Sequence, residues 1–225
     1  MSYAVSDCIS KTLKFCIDSE TNNVIVGHDS YTPLTKNYTN CNILGNNVHA
    51  TGNNQVQLGN SQTNVYSVGG IQNTSDLRDK TLIRDTMLGI DFISKLRPVD
   101  FKWNFRNDYI NTTADYEEVN GIRVPIKVHL ENDGSKTRHR YHHGLIAQEV
   151  KQAMDDLGID FGGYQDHTIN GGDEQLTISY TEFIAPMIKS IHELKAEGDS
   201  LKSEILSLKA EVDSLKVRVD TMKNP

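Results

Sequence analysis

Cysteine is scarce in this 225-residue chain: Cys8, Cys16 and Cys41 all fall near its start, and no Cys-x-x-Cys spacing occurs. An odd count without paired spacing argues against a disulfide framework or a zinc site and leaves three small hydrophobes suited to burial. Long apolar runs are missing as well, so nothing reads as a membrane span. The opening MSYAVSDCISKTLKF lacks the apolar centre of a signal peptide, and a soluble protein made inside the cell is expected. Basic residues are outnumbered, 23 Lys and Arg against 30 Asp and Glu, for a net charge of -7. That balance favours neither nucleic acid nor an anionic membrane as a partner. No cofactor and no metal are expected.

Hydrophobic residues make up 37% of the chain, too few for one large globule but normal for a mixture of core, repeats and coiled coil. Three territories follow: residues 1–74, 75–180 and 181–225. The first is rich in Asn, Gly and Thr and poor in charge. Short apolar segments recur in it, each closing on glycine: Asn23–Gly27, Asn42–Gly45, Val48–Gly52 and Gln55–Gly59. Gly45, Gly52 and Gly59 are seven apart. Alternating apolar residues predict short strands, with glycine and asparagine supplying positive-φ corners. Units this small cannot bury their own face, so neighbours must stack. The pattern predicts a β-roll or β-solenoid wound from more than one chain and loosely resembles the head repeats of trimeric adhesins. A free-standing sandwich is the alternative.

The second territory reads as a small α+β domain. Leu88, Phe92 and Leu96 predict one face of a helix over 86–96, stopped by Arg97-Pro98. Val99, Phe101, Trp103 and Phe105 alternate with polar residues as a half-buried strand does, and so do the apolar residues of 122–130. Residues 106–121 between them read as a long polar loop. A second helix is predicted over 144–157 and a last short strand over 176–180. His139, His142 and His143 crowd together, but adjacent strand residues seldom converge on a metal.

Residues 181–225 predict one long helix, with Thr181 as N-cap and Pro186 tolerated near the first turn. Its heptads place Ile184, Ile191, Ile205, Val212 and Val219 at a, interrupted by Gly198, and Met187, Leu194, Leu201, Leu208, Leu215 and Met222 at d. In a parallel partner Glu197, Glu204 and Glu211 meet Lys202, Lys209 and Lys216, which predicts a parallel homo-oligomeric coiled coil. Ile or Val at a with Leu at d leans towards a dimer, and Gly198 weakens that inference. A single amphipathic helix docked on its own domain is the alternative.

The candidate chemistry lies where the first two territories meet, at Ser75-Asp-Leu-Arg-Asp-Lys80. A serine hydroxyl is a poor nucleophile until a base takes its proton, and a lysine serves once desolvation or a nearby cation lowers its pKa. Arg78 can supply that cation or orient Asp76. Spacing alone does not distinguish the segment from a polar turn.

The segment resembles the Ser-Asp-x-Arg-x-Lys start of the S74 peptidase family, the intramolecular chaperones of phage endosialidases, tail fibres and neck appendages. The stretches Lys95–Trp103, Gly144–Val150 and Ile178–Ile191 resemble further blocks of the family in the same order. The resemblance implies a homotrimeric viral tail fibre or spike whose C-terminal chaperone folds it and then cuts itself off at Thr74–Ser75, with Ser75 as nucleophile and Lys80 as base. Gln148 and Glu149 lie in a family block, with a contact to a neighbouring chain or the cleavage loop and a plain helix-start role both open. Asp79 stands where the family commonly has Leu, and a carboxylate beside Lys80 is expected to slow cleavage. A host-surface receptor for the fibre part is a further expectation. The competing reading is a structural or receptor-binding fibre tip whose C-terminal domain only trimerises.

Overall fold

The computed structural model describes residues 14–32, 36–119 and 122–223; Cys8 lies outside them. The fold is mixed α+β, with small sheets and a long C-terminal helix. Two compact units are present: Met1–Asp76 with Pro98–Gly144 and Gln165–Thr177, and Leu77–Arg97 with Leu145–Tyr164 and Ile178–Pro225. No helix among the described residues is long and apolar enough to cross a membrane.

The first unit holds a four-stranded sheet in the order β1 (Lys14–Asp18), β2 (Asn23–His28), β3 (Cys41–Asn46), β4 (Gln55–Leu58). β1 runs antiparallel to β2, whereas β2, β3 and β4 are mutually parallel. Ile25 pairs with Ile43 and Asn42 with Val56, so successive parallel strands are joined by short coils without a helix. Val48–Gly52, expected as a strand, makes only an isolated bridge at His49.

The corners are turned by asparagine and aspartate. Asn22, Asp29, Asn40, Asn47 and Asn54 all have φ between 52 and 57. These residues visit the left-handed region more readily than other non-glycine types. Glycine has a different task here. Gly27 and Gly45 lie in strands at φ 146 and 144, and a Cβ on Gly27 would fall 1.6 Å from the Gly45 carbonyl oxygen. Gly52 has no positive φ, contrary to its expected corner role.

Ile25, Tyr38, Cys41, Ile43, Val48 and Ala50 form the core of this stack. Asn23 is also buried, and it stitches three segments. Its Nδ2 donates to the Thr21 hydroxyl and the Tyr38 carbonyl, each at 2.8 Å, while its Oδ1 accepts from the Cys41 N–H at 2.8 Å. At the rim the Asn40 side chain donates to Asn54 at 2.9 Å, one coil to the next.

Three two-stranded pairings accompany the stack among the described residues. β5 (Val99–Phe101) lies antiparallel to β8 (His142–Gly144). Residues 106–121 are not a loop: a 3-10 turn, Arg106–Tyr109, leads into β6 (Ile110–Val119), which pairs with β7 (Ile122–His129) as a ribbon. A ribbon held by backbone pairing needs no apolar alternation on both strands, which is why its first half reads as polar loop. β9 (Tyr164–Asp166) pairs with β10 (Leu176–Ile178).

In the second unit α1 is only Ile90–Ile93, shorter than the predicted helix. The Thr86 hydroxyl accepts from the Leu88 N–H at 3.1 Å, holding the preceding chain in a turn. The Glu193 carboxylate then accepts from the Ile90 N–H at 2.7 Å, at a point where a Cβ on Gly89 would lie 2.2 Å from that carboxylate. The predicted apolar face survives: Phe92 is buried, and Leu88 and Leu96 pack on the same core. α2 (Ala147–Leu157) contributes Val150, Ala153 and Met154 and ends on Gly158 at φ 62.

α3 (Ile184–Lys223) is 40 residues long, about 60 Å at 1.5 Å per residue. Thr181 does not cap it; that residue sits within a 3-10 turn, Tyr180–Phe183, that leads straight into the helix. Phe183 closes the core against Phe161, with ring centroids 4.7 Å apart. Pro186 is the third residue of α3, where its missing N–H removes no helical bond.

Two predictions follow from these contacts. Asn23→Ala leaves the Cys41 N–H and Tyr38 carbonyl without their buried partner, and a loss of about 2–3 kcal/mol is expected in urea unfolding of the stack. Glu193 has its pKa held below the ordinary glutamate value, first by the Ile90 N–H and then by Lys189. A depressed carboxylate contributes stability above its unfolded pKa and loses it as pH falls through the folded value. Thermal unfolding on acidification from about pH 7 to pH 3 is therefore expected to cost Glu193→Gln less in Tm than the parent.

Candidate functional site

Ser75 follows an irregular stretch of chain. Between β4 and α1 the only regular feature is a 3-10 turn at Leu77–Asp79, closed by the Lys80 N–H donating to the Leu77 carbonyl at 3.2 Å. Thr74, Ser75, Arg78, Asp79 and Lys80 are exposed, and Asp76 is half-buried. Thr74, Ser75 and Asp76 end a segment of the first unit, and Leu77 opens the second.

The same stretch displays apolar side chains to solvent: Tyr66 is 91% exposed, Ile71 84% and Leu82 90%. A chain that leaves such residues uncovered on both sides of a polar hexapeptide offers a surface for burial. Desolvation of Lys80, which the base role requires, is not supplied by the chain around it, because the residue is exposed.

Gln148 is exposed in the first turn of α2, and Glu149 follows it. Glu149 is held by Arg97, whose Nε donates to one carboxylate oxygen at 3.0 Å and whose Nη2 donates to the other. This two-pronged pair fixes the Arg97-Pro98 passage against the start of α2 and places a negative charge where the helix dipole favours it. The sequence reading took Arg97 for a helix stop and missed the pair. Its signal was available only as a basic residue within one family block and an acidic residue within another.

The histidines divide among separate tasks. His142 stacks on Phe101 at 5.9 Å between centroids, whereas the His143 Nδ1 lies 2.6 Å from the Asp100 carboxylate. Neighbours on a strand face opposite ways. His139 is exposed beside a polar cleft of about 480 Å³ bordered by Asp108, Lys136 and Arg138.

The serine-led hexapeptide lies between a glycine- and asparagine-rich strand stack and the elements that lead to a long helix. Residues 75–159 match the family model of Peptidase S74, described as chaperone of endosialidase. The match begins at Ser75 and runs to the residue after the Gly158 cap of α2. The family is one of intramolecular chaperones with autoproteolytic peptidase activity. No curated protein matches the chain.

Proposed function

We propose that the chain is part of a viral tail fibre or spike, in which the domain opening at Ser75 assembles three copies and then releases itself. The observation that carries this reading is the start of the family match at Ser75 itself, on the irregular stretch that follows the parallel strand stack. The short parallel connections between β2, β3 and β4 support the β-roll reading of the first territory. The helix supports assembly: Leu194, Leu201, Ile205 and Leu208 on the a/d stripe of α3 are each about half exposed, and a parallel partner would cover them.

In this mechanism assembly buries Lys80 and favours its neutral form. Its Nζ takes the proton from the Ser75 Oγ, which attacks the Thr74 carbonyl carbon. The Thr74–Ser75 peptide bond breaks as the ester between Thr74 and the Ser75 Oγ forms, and the amide nitrogen leaves protonated as the new α-amino group of Ser75. Water then hydrolyses the ester, giving a Thr74 carboxylate and restoring the hydroxyl. Asp76 and Arg78 act as supporting groups, and Gln148 and Glu149 support the surface against which the cleavage segment folds. Because the base is exposed in a single chain, cutting would report on assembly. The freed fibre, held by interwoven strands, would persist through a high unfolding barrier. A host-surface receptor is the natural ligand of that part, and the virion its location.

A denaturing gel with N-terminal sequencing tests the chemistry. The parent is expected to yield 1–74 and 75–225, with Ser75 at the new N-terminus, while Ser75→Ala and Lys80→Ala remain whole. Splitting at the same bond in either variant would sink the mechanism. An uncut parent that still trimerises would favour the fibre-tip reading. Asp79→Leu removes a carboxylate next to Lys80 in the chain, and cleavage is expected to speed up several-fold. Native mass of Leu201→Asp should drop from three chains to one, with cleavage lost in parallel.

A further inference from the structure

Within the first unit, one turn is built with more care than a connection requires. Between β9 and β10 the chain makes a 3-10 turn, His167–Asn170, whose start is fixed by the Asp166 carboxylate accepting from the Thr168 N–H at 2.9 Å. Gly171 follows at φ 73, and the Gly172 N–H returns to the His167 carbonyl at 2.9 Å. This rigid turn is set against two successive coils of the strand stack.

Contact with the second coil runs through backbone. The Asp173 N–H donates to the Thr51 carbonyl at 2.7 Å. A Cβ on Gly172 would lie 2.6 Å from that same carbonyl oxygen, so only glycine permits the approach. Gln55 adds a side-chain contact. Its Oε1 accepts from the Thr51 N–H, the Thr51 hydroxyl and Gln57. Its Nε2 therefore faces His167 and donates to Nδ1 at 3.2 Å, which leaves the Nε2–H of His167 to donate to the Thr177 hydroxyl at 3.2 Å.

Contact with the first coil runs through Tyr38, buried in the stack core, whose hydroxyl donates to the Asp173 carboxylate at 2.9 Å. Burial and that carboxylate push the tyrosine pKa up to about 12, so the hydroxyl stays a donor. Asp173 thus holds one coil by its side chain and the next by its backbone. Adjacent strands lie about 4.8 Å apart, so a stack slipped by one coil moves one partner well beyond hydrogen-bond range.

We propose that the turn 167–173 is a register clasp: the surface by which the C-terminal part of the chain recognises its own strand stack, with two consecutive coils in register as its ligand. The inference deepens the chaperone reading and rests on it, since it names the surface on which the stack is templated. A template acts before the folding barrier is crossed, whereas a late packing contact acts after it.

The test uses the full chain in a Ser75→Ala background, intact whether or not the parent cuts itself. Refolding and unfolding rates are followed at the amides of β3 by pulsed hydrogen exchange. Asp173→Ala, which keeps the backbone bond to Thr51, is expected to slow refolding about tenfold, with Asp173→Asn restoring most of the rate. Gly172→Val is expected to do at least as much; if it fails to fold, the Asp173 pair carries the measurement. A refolding rate within about threefold of the background for Asp173→Ala overturns the clasp, whatever happens to unfolding. That result leaves self-cleavage standing, and a parent that never cuts leaves the clasp standing.

Discussion

Backbone meets backbone at Gly27 and Gly45, and the strand stack depends on that approach. No side chain fits between the two coils at this column, since a Cβ on Gly27 would sit inside the Gly45 carbonyl. Glycine there sets the register of β2 on β3. Other contacts then fall into line: Ile25 beside Ile43 in the core, Asn23 bridging Tyr38 and Cys41, and Asn40 reaching Asn54 at the rim. The left-handed asparagines turn each coil so that the next strand arrives parallel. Even the clasp at Asp173 is a reading of the same spacing from outside.

The second unit solves a different problem. Its core is a small aromatic cluster, Phe92, Phe161 and Phe183, tied by α2 and by the Glu193 contact to the start of α1. That core consumes little of α3, whose buried residues are Pro186 and Ser190. Most of the helix's apolar stripe meets water, as do Tyr66, Ile71 and Leu82 around the serine motif. The described residues thus pack into two separate cores and leave a large apolar surface open to burial.

Where sequence periodicity is local, it was legible. The heptads predict α3, whereas the glycine spacing of seven does not match the strand pairing, which sets Cys41 beside Gln55 and Gly27 beside Gly45. The apolar faces of α1 and α2 packed as read, although α1 was cut short by a turn at Thr86 and a cap from Glu193. The ribbon of β6 and β7 was misread because its first strand is polar, even though Asn120-Gly121 between the strands is a strong hairpin signal. The clasp could not have been read at all. Tyr38 and Asp173 are 135 residues apart, and neither belongs to a pattern. Within the site, Ser75 stands where the family match begins, whereas the Arg97–Glu149 pair needed the fold to bring its halves together.

The direction of the strands carries a last consequence. Among the described residues β1 lies antiparallel on β2, while β4 ends the parallel series. A stack of this kind is a vector. Its antiparallel strand is a stop against further parallel coils, so lengthening by whole coils has one open side, past β4. A longer stack of this kind is reached by adding coils on that side, each touching its neighbours above all.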